Sequence, residues 1–200
     1  MIALIDYGAG NLTSVRKGFA AAGADLFTPA EPRELSDADG IVVPGVGNFA
    51  ATSALEGAWT TAIRNAVNDG TPLFGICLGM QWLFEGSDEA PGVAGLGMIP
   101  GGCTRLPPRE GLKVPHVGWN SLHAPHPSRL LDGVGEGTQV YFTHSYAAPV
   151  TAETAATCDH GTTFAAAVER GHIFGVQFHP EKSSDGGIRI LRNFVRAAKG

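Results

Sequence analysis

The chain is short of charge, of cysteine and of long apolar runs, and each shortage closes off a class of function. Asp, Glu, Lys and Arg make up 16% of its 200 residues, the formal net charge is −5, and Lys and Arg form no cluster. A weakly acidic chain without a basic patch lacks the electrostatic footprint of a nucleic-acid binder. There are three cysteines, Cys77, Cys103 and Cys158, with no C-x-x-C pair among them. An odd, scattered set fits neither a disulfide framework nor a cysteine-rich zinc site. No stretch approaches the roughly 18 apolar residues of a membrane span. The opening segment, Met1-Ile2-Ala3-Leu4-Ile5-Asp6, has no basic region and only a very short apolar run, which is not the pattern of a secretory signal. The cytoplasm, where thiols stay reduced, is the expected compartment.

Apolar residues reach 44%, enough for a buried core. The 28 glycines and 13 prolines fall between apolar runs, where they punctuate rather than dilute. With no internal repeat and no linker, one domain over residues 1–200 is expected. The first half alternates strand and helix signals: strands at 2–5, 25–27, 40–43 and 72–76, helices at 12–22, 53–68 and 78–84. That alternation predicts a parallel sheet with helices on its faces. The second half changes to short strand-like runs at 114–122, 140–142, 154–158, 164–168 and 173–176. Hairpins there make the sheet mixed. Ile188, Leu191, Phe194 and Val195 recur at helical spacing, so a helix over 183–199 closes the chain.

The most informative segment is Gly75-Ile76-Cys77-Leu78-Gly79-Met80-Gln81. A strand runs into G-x-C-x-G and a helix begins at once, the thiol counterpart of the G-x-S-x-G nucleophile elbow. Glycines at 75 and 79 leave room for a sharp turn. Cys77 would stand at the strand's carboxyl end and at a helix N-terminus, which favours the thiolate. The Leu78 N–H would point to where an oxyanion forms. Taken alone, a cysteine in such a segment is as often an inert core residue.

A second element lies at Gln177-Phe178-His179-Pro180-Glu181. An apolar strand delivers His179 to its end and Pro180 turns the chain, so Glu181 can fold back on the imidazole. Neutral histidine is the base suited to neutral pH, and a carboxylate beside it sets its tautomer and supports the imidazolium. Both elements end strands, and open α/β sheets collect ligands beyond those ends.

Other clusters carry less. Gly8-Ala9-Gly10 follows the first strand, but a dinucleotide fingerprint would need glycine where Thr13 stands. His116, His123 and His126 are spaced seven and three apart in a proline-rich stretch, which puts them on no single helix face. Neither a metal nor a cofactor is expected. Cys103, Cys158 and His144 carry no assigned role.

Together, the elbow, the H-P-E segment and Pro44-Gly45-Val46-Gly47 resemble the class I (triad) glutamine amidotransferases over almost the whole chain. The resemblance implies a flavodoxin-like three-layer α/β/α sandwich with a mixed central sheet. It implies a Cys77-His179-Glu181 triad that releases ammonia from glutamine through a thioester. It also implies oxyanion donors at Val46, Gly47 and Leu78, and glutamine contacts from Gln81, Ser145 and Tyr146. Further segments, Asp6 to Leu12, Pro115-His116-Val117-Gly118-Trp119-Asn120 and Tyr141 to Tyr146, are similar to the branch serving histidine biosynthesis. In that branch the ammonia passes to a separate (β/α)₈-barrel cyclase subunit in a heterodimer. The resemblance sets Asn11, Trp119 and Lys182 near that partner. Two alternatives stay open: an amidotransferase of the anthranilate or aminodeoxychorismate type, and a stand-alone thiol hydrolase built on the same elbow.

Overall fold

The computed structural model describes residues 1–123 and 127–200. The first half contains β1 (Ile2–Leu4), α1 (Leu12–Ala21), β2 (Leu26–Phe27), β3 (Gly40–Val43), α2 (Ala58–Asn68), β4 (Leu73–Ile76) and α3 (Leu78–Leu83). Then come β5 (Gly86–Ser87), β6 (Gly102–Arg105), β7 (His116–Ser121), β8 (Gln139–His144) and β9 (Tyr146–Ala147). The last part holds β10 (Thr154–Asp159), β11 (Thr163–Arg170), β12 (Ile173–Val176) and α4 (Ser184–Lys199).

Seven strands form the central sheet in the order β10-β11-β12-β4-β3-β1-β2. β2, β1, β3, β4 and β12 run parallel, while β11 is antiparallel to β12 and to β10. Parallel neighbours cannot be joined by a tight hairpin, so the chain crosses over through helices that must cover the sheet. Strand periodicity sorts the apolar residues between the faces. Leu4, Val42, Phe74 and Phe174 share one core with Val15 and Phe19 of α1 and with Leu191 and Phe194 of α4. Ala3, Ile41, Val43 and Leu73 share the other with Ile63 and Val67 of α2 and Leu83 of α3. The result is the mixed three-layer α/β/α sandwich. Phe194 anchors the first layer, stacked on Phe74 at 5.0 Å and edge-on to Phe19 and Phe174 at 6.2 and 6.1 Å. Burying each such ring stabilises the fold by about 1.5–3 kcal/mol.

The structure departs from the sequence reading in three places. The helix expected over 53–68 is two elements: a 3-10 turn at Phe49–Leu55, then α2. Gly57 divides them at φ +76°, a conformation outside the helical region. The strands expected around 114–122 and 140–142 are β7 and β8, which pair with each other and not with the central sheet. The short β5-β6-β9 sheet carried no periodic signal, because strands of two to four residues are too brief to show one.

The elbow glycines are required by close approach. A Cβ at Gly79 would lie 1.8 Å from the Val43 carbonyl oxygen, and one at Gly75 would lie 2.6 Å from the carbonyl oxygen of Gly79. Neither backbone can give way without separating β3, β4 and α3. Gly79→Ala is therefore expected to cost more than about 3 kcal/mol in a denaturant titration. Gly92→Ala, where the added carbon meets open space, should stay within about 0.5 kcal/mol. Equal stability of the two variants would contradict this packing.

Candidate active site

The parallel pairing of β4 with β12 creates the site. Gly75 lies opposite Gly175, and Ile76 opposite Val176. One residue further on, the Cys77 N–H donates to the Val176 carbonyl at 2.8 Å. Cys77 itself has φ +53°, in the left-handed region that non-glycine residues avoid. This strained turn frees the thiol from the sheet as α3 begins. Beyond β12 the chain continues through Gln177 and Phe178 to His179, whose N–H donates to the Tyr141 carbonyl of β8 at 2.9 Å. The Ser183 hydroxyl donates to the His179 carbonyl at 2.6 Å and accepts the Tyr141 N–H at 2.9 Å, tying His179 to β8.

Glu181 folds back inside the Pro180–Lys182 turn, and its Oε1 lies 2.8 Å from His179 Nδ1. The two side chains are 2% and 3% exposed. A carboxylate accepts only, so Nδ1 carries the proton in this pair. Nε2 is then the nitrogen left for the thiol; it is buried and has no hydrogen-bond partner among the described residues. Burial works against the imidazolium, but bonding with Cys77 and then with Glu181 outweighs it and pushes the His179 pKa up to about 10. The pocket thus favours the charged imidazole that remains once a thiol has given up its proton.

A cleft of about 220 Å³ opens beside Cys77, walled by Gly47, Leu78, Gln81, Glu89 and the strand end from Thr143 to Tyr146. Gln81 is buried. Its Nε2 donates to the Tyr146 carbonyl at 2.8 Å and to Gln177 Oε1 at 3.0 Å. The Leu78 N–H meets the Gly45 carbonyl at a long 3.4 Å. Val46, the next residue of that loop, is 39% exposed. Beneath the loop the Tyr7 hydroxyl donates to the Pro44 carbonyl at 2.7 Å. Burial, and then the nearness of Cys77, push the Tyr7 pKa well up, which keeps this donor neutral.

Three of these residues were not singled out from the sequence. Glu89 brings a carboxylate to the cleft wall, where its Oε2 also accepts the Phe49 N–H at 2.8 Å. Tyr7 supports the Pro44-Gly45 turn, and Gln177 faces the Cys77 sulfur at 3.6 Å. Only Gln177 and Tyr7 had any local signal, a polar side chain at the end of an apolar strand.

The remaining sequence candidates scatter. Trp119 is 51% exposed and meets the Tyr141 ring edge-on at 6.1 Å, while Lys182 Nζ sits 5.8 Å from the same ring. Trp119 and Lys182 therefore share one surface patch. Asn11 caps α1, its side-chain oxygen accepting the Ser14 N–H at 3.0 Å, and α1 packs against the Pro180–Lys182 turn. His123 pairs with Glu136 at 3.2 Å on the surface, away from His116, and His126 lies outside the described residues. Among the described residues no three metal-binding side chains converge. Cys103 and Cys158 are buried, and burial pushes both thiols up to about 12.

His116 and His144 form a buried pair next to the cleft. His144 Nδ1 lies 2.9 Å from the Tyr146 carbonyl, which can only accept, so Nδ1 carries hydrogen. His144 Nε2 then accepts from His116 Nδ1 at 3.0 Å, and His116 Nε2 accepts from Asn120 at 3.3 Å. Burial is the main cause that lowers the two pKa values, to about 3 for His144 and about 4 for His116.

The sequence matches the profile of the family described as glutamine amidotransferase class-I over residues 3–198. It is 46% identical over 197 residues to the imidazole glycerol phosphate synthase subunit HisH of Moorella thermoacetica, covering 96% of this chain and 93% of that protein. It is 48% identical to the HisH subunit of Methanothermobacter thermautotrophicus, covering 98% of each. Among solved structures, a crystal structure of a glutamine amidotransferase superposes with a TM-score of 0.78 at 18% identity, covering 100% of both chains. The glutaminase domain of Trypanosoma brucei CTPS with bound acivicin superposes at 0.71, also at 18% identity, covering 99% of this chain and 93% of that one. At that identity the superpositions speak for the fold alone.

The histidine pair makes a measurable pH signature. Both folded pKa values lie below the unfolded value of about 6.5, so the unfolded chain binds protons that the folded chain cannot. The stability contributed by the neutral pair is full above about pH 6.5 and is lost as pH falls through about 4 for His116 and about 3 for His144. Long-range ¹H–¹⁵N spectra should show both rings as neutral Nδ1–H tautomers at pH 7, with neither titrating above about pH 5, while Tm declines on acidification. Titration of His144 near pH 6.5 would overturn the assignment.

Proposed function

The chain belongs to the class-I glutamine amidotransferases, and from that premise we propose how its residues do the work. It serves as the glutaminase subunit of imidazole glycerol phosphate synthase, in histidine biosynthesis, and hydrolyses glutamine to glutamate and ammonia. The observation that carries the residue-level reading is the meeting of Cys77, His179 and Glu181 at adjoining strand ends.

Glutamine enters the cleft with its side-chain amide over Cys77. The sulfur attacks the amide carbon while His179 receives the thiol proton, and the imidazolium returns a proton to the leaving nitrogen as ammonia departs. Water then gives its proton to the same imidazole and cleaves the γ-glutamyl thioester, yielding glutamate. Glu181 holds the imidazole tautomer and supports its charge in both steps. The N–H groups of Leu78 and of the loop at Val46 and Gly47 hold the oxyanion. Ser145 and Tyr146 contact the substrate main chain. Gln81 has both side-chain N–H groups engaged, which leaves its oxygen to accept from the substrate ammonium. Glu89 supplies the opposite charge for that ammonium.

The oxyanion donors are not all free at rest. The Leu78 N–H is occupied by the Gly45 carbonyl, though at 3.4 Å the bond is weak. The Pro44 to Gly47 loop must shift before this N–H can serve, and docking of a partner supplies the bias. That partner is the cyclase subunit, which consumes the ammonia. Its form is a (β/α)₈ barrel, and it docks over the face bearing Asn11, Trp119 and Lys182. No helix among the described residues is long and apolar enough to cross a membrane. A thiol nucleophile must stay reduced, and we place the reaction in the cytoplasm on that ground.

Glutamate release should be slow for this subunit alone. It should rise at least about tenfold when the cyclase subunit and its nucleotide substrate are both present. Cys77→Ser should lose at least about 10³-fold of the stimulated rate with the fold intact. An electrophilic glutamine analogue should label Cys77 and no other residue. Near-normal turnover by Cys77→Ser would sink the triad, while activity indifferent to the cyclase subunit would sink the coupling.

A further inference from the structure

Besides His179, two polar groups meet the Cys77 sulfur: the Thr143 carbonyl, which accepts from the thiol at 3.9 Å, and the side chain of Gln177. Gln177 is wholly buried, with its backbone N–H held by the Ala166 carbonyl of β11 at 2.9 Å. Its side-chain Oε1 accepts from Gln81 Nε2 at 3.0 Å, and its Nε2 faces the Cys77 sulfur at 3.6 Å.

The direction of this chain of amides is dictated by the Tyr146 carbonyl, which can only accept. Gln81 must turn its NH₂ group toward that oxygen, where it sits at 2.8 Å. The second N–H of the same group then faces Gln177 and demands an acceptor, so Oε1 of Gln177 turns toward Gln81. The NH₂ of Gln177 is left on the cysteine side. Flipping either amide would set donor against donor or acceptor against acceptor inside the protein, at about 1–3 kcal/mol for each buried group left unpaired.

We propose that Gln177 is a positioning residue for the nucleophile: its buried amide holds the Cys77 sulfur with an N–H donor whose direction is fixed through Gln81 by the Tyr146 carbonyl. A neutral thiol is a poor acceptor, whereas a thiolate is a charged one. A fixed N–H donor therefore favours the reactive form and limits where it can point. Gln81 and Tyr146 also line the cleft, so the substrate subsite and the sulfur are joined by a single hydrogen-bonded path. The identity of the ligand rests on the glutaminase reading above; the path to the sulfur does not.

The test reads the sulfur directly. The full-length chain, alone and with the cyclase subunit, is alkylated with iodoacetamide across a pH series, and the modified peptides are identified by mass spectrometry. Cys103 and Cys158 should stay silent, being buried with raised thiol pKa values. Gln177→Glu keeps the shape and the acceptor toward Gln81 but replaces the N–H on the sulfur side with a charged oxygen. Gln177→Met removes both polar ends. Each should move the half-maximal pH of Cys77 alkylation upward by about one unit, which is about tenfold slower labelling at neutral pH. The glutamate assay should show kcat falling with KM for glutamine little changed.

Profiles that superpose on the parent for a folded Gln177→Met variant, which adds no charge, would overturn the proposal. Should both Gln177 variants fail to fold, Gln81→Leu decides. It releases the direction of the Gln177 amide without touching it, and should move the profile part of the way. No movement there would overturn the proposal equally. A shifted alkylation profile in a chain that never hydrolyses glutamine would leave this amide path standing and remove the glutaminase reading. Normal alkylation with normal turnover would do the reverse.

Discussion

The pairing of β4 against β12 is the constraint from which the rest of the site follows. Side chains alternate across a sheet, so a slip of one residue would turn every apolar side chain to the wrong face. Here both faces are buried and apolar, so the register is set by side-chain shape and by where the glycines fall. Gly75 and Gly175 stand opposite each other in these strands. A Cβ at Gly175 would meet the Met80 side chain at 2.8 Å, so the two glycines together let α3 settle onto the sheet. Once that register holds, Cys77 and His179 emerge from adjacent strands although they lie 102 positions apart in the chain. The spacing of Cys77 and His179 is thereby a strand spacing, set first by the packing of the hydrophobic core.

Three buried histidines show how the same side chain is tuned in opposite directions. Burial disfavours the charged form of His116, His144 and His179 alike. The first two lie against each other and His160, the Tyr146 carbonyl's support for a charge on His144 does not offset burial, and both stay neutral into the acid range. His179 faces a thiol and a carboxylate, and their support exceeds the burial cost. Placing both kinds around one cleft gives a rigid neutral strut under Tyr146 and a charge-bearing base beside Cys77. Tyr146 is where the two systems meet, since its carbonyl accepts from both His144 and Gln81.

Much of this was legible before any coordinates because it is local. A strand, a G-x-C-x-G turn and a helix start determine where Cys77 points, and H-P-E returns its carboxylate to its own histidine within three residues. The alternation of short apolar runs at β1, β3 and β4 with helix signals between them announced the layered sheet. What stayed hidden is non-local. Glu89 has no motif around it and reaches the cleft only because the chain after α3 doubles back. Gln177 matters through two partners from distant segments, Gln81 and Cys77. Gly57 interrupts a stretch whose apolar spacing is otherwise helical, so periodicity alone ran through it. The separate β7-β8 sheet looked like further strands of the main one, because period-two patterning does not say which partner a strand will choose.

Two of the three buried side-chain atoms that lack partners among the described residues, His179 Nε2 and Glu181 Oε2, bear on the history of the protein as well as its chemistry. Polar atoms in such a place are a standing burden on the folded state, and apolar residues of similar size in their stead often fold as well or better. Random change in a lineage relieved of the reaction would therefore drift readily toward a greasier, quieter interior at these two positions. His179 and Glu181, held 2.8 Å apart through Nδ1 and Oε1 and sealed from water, carry that burden in this chain.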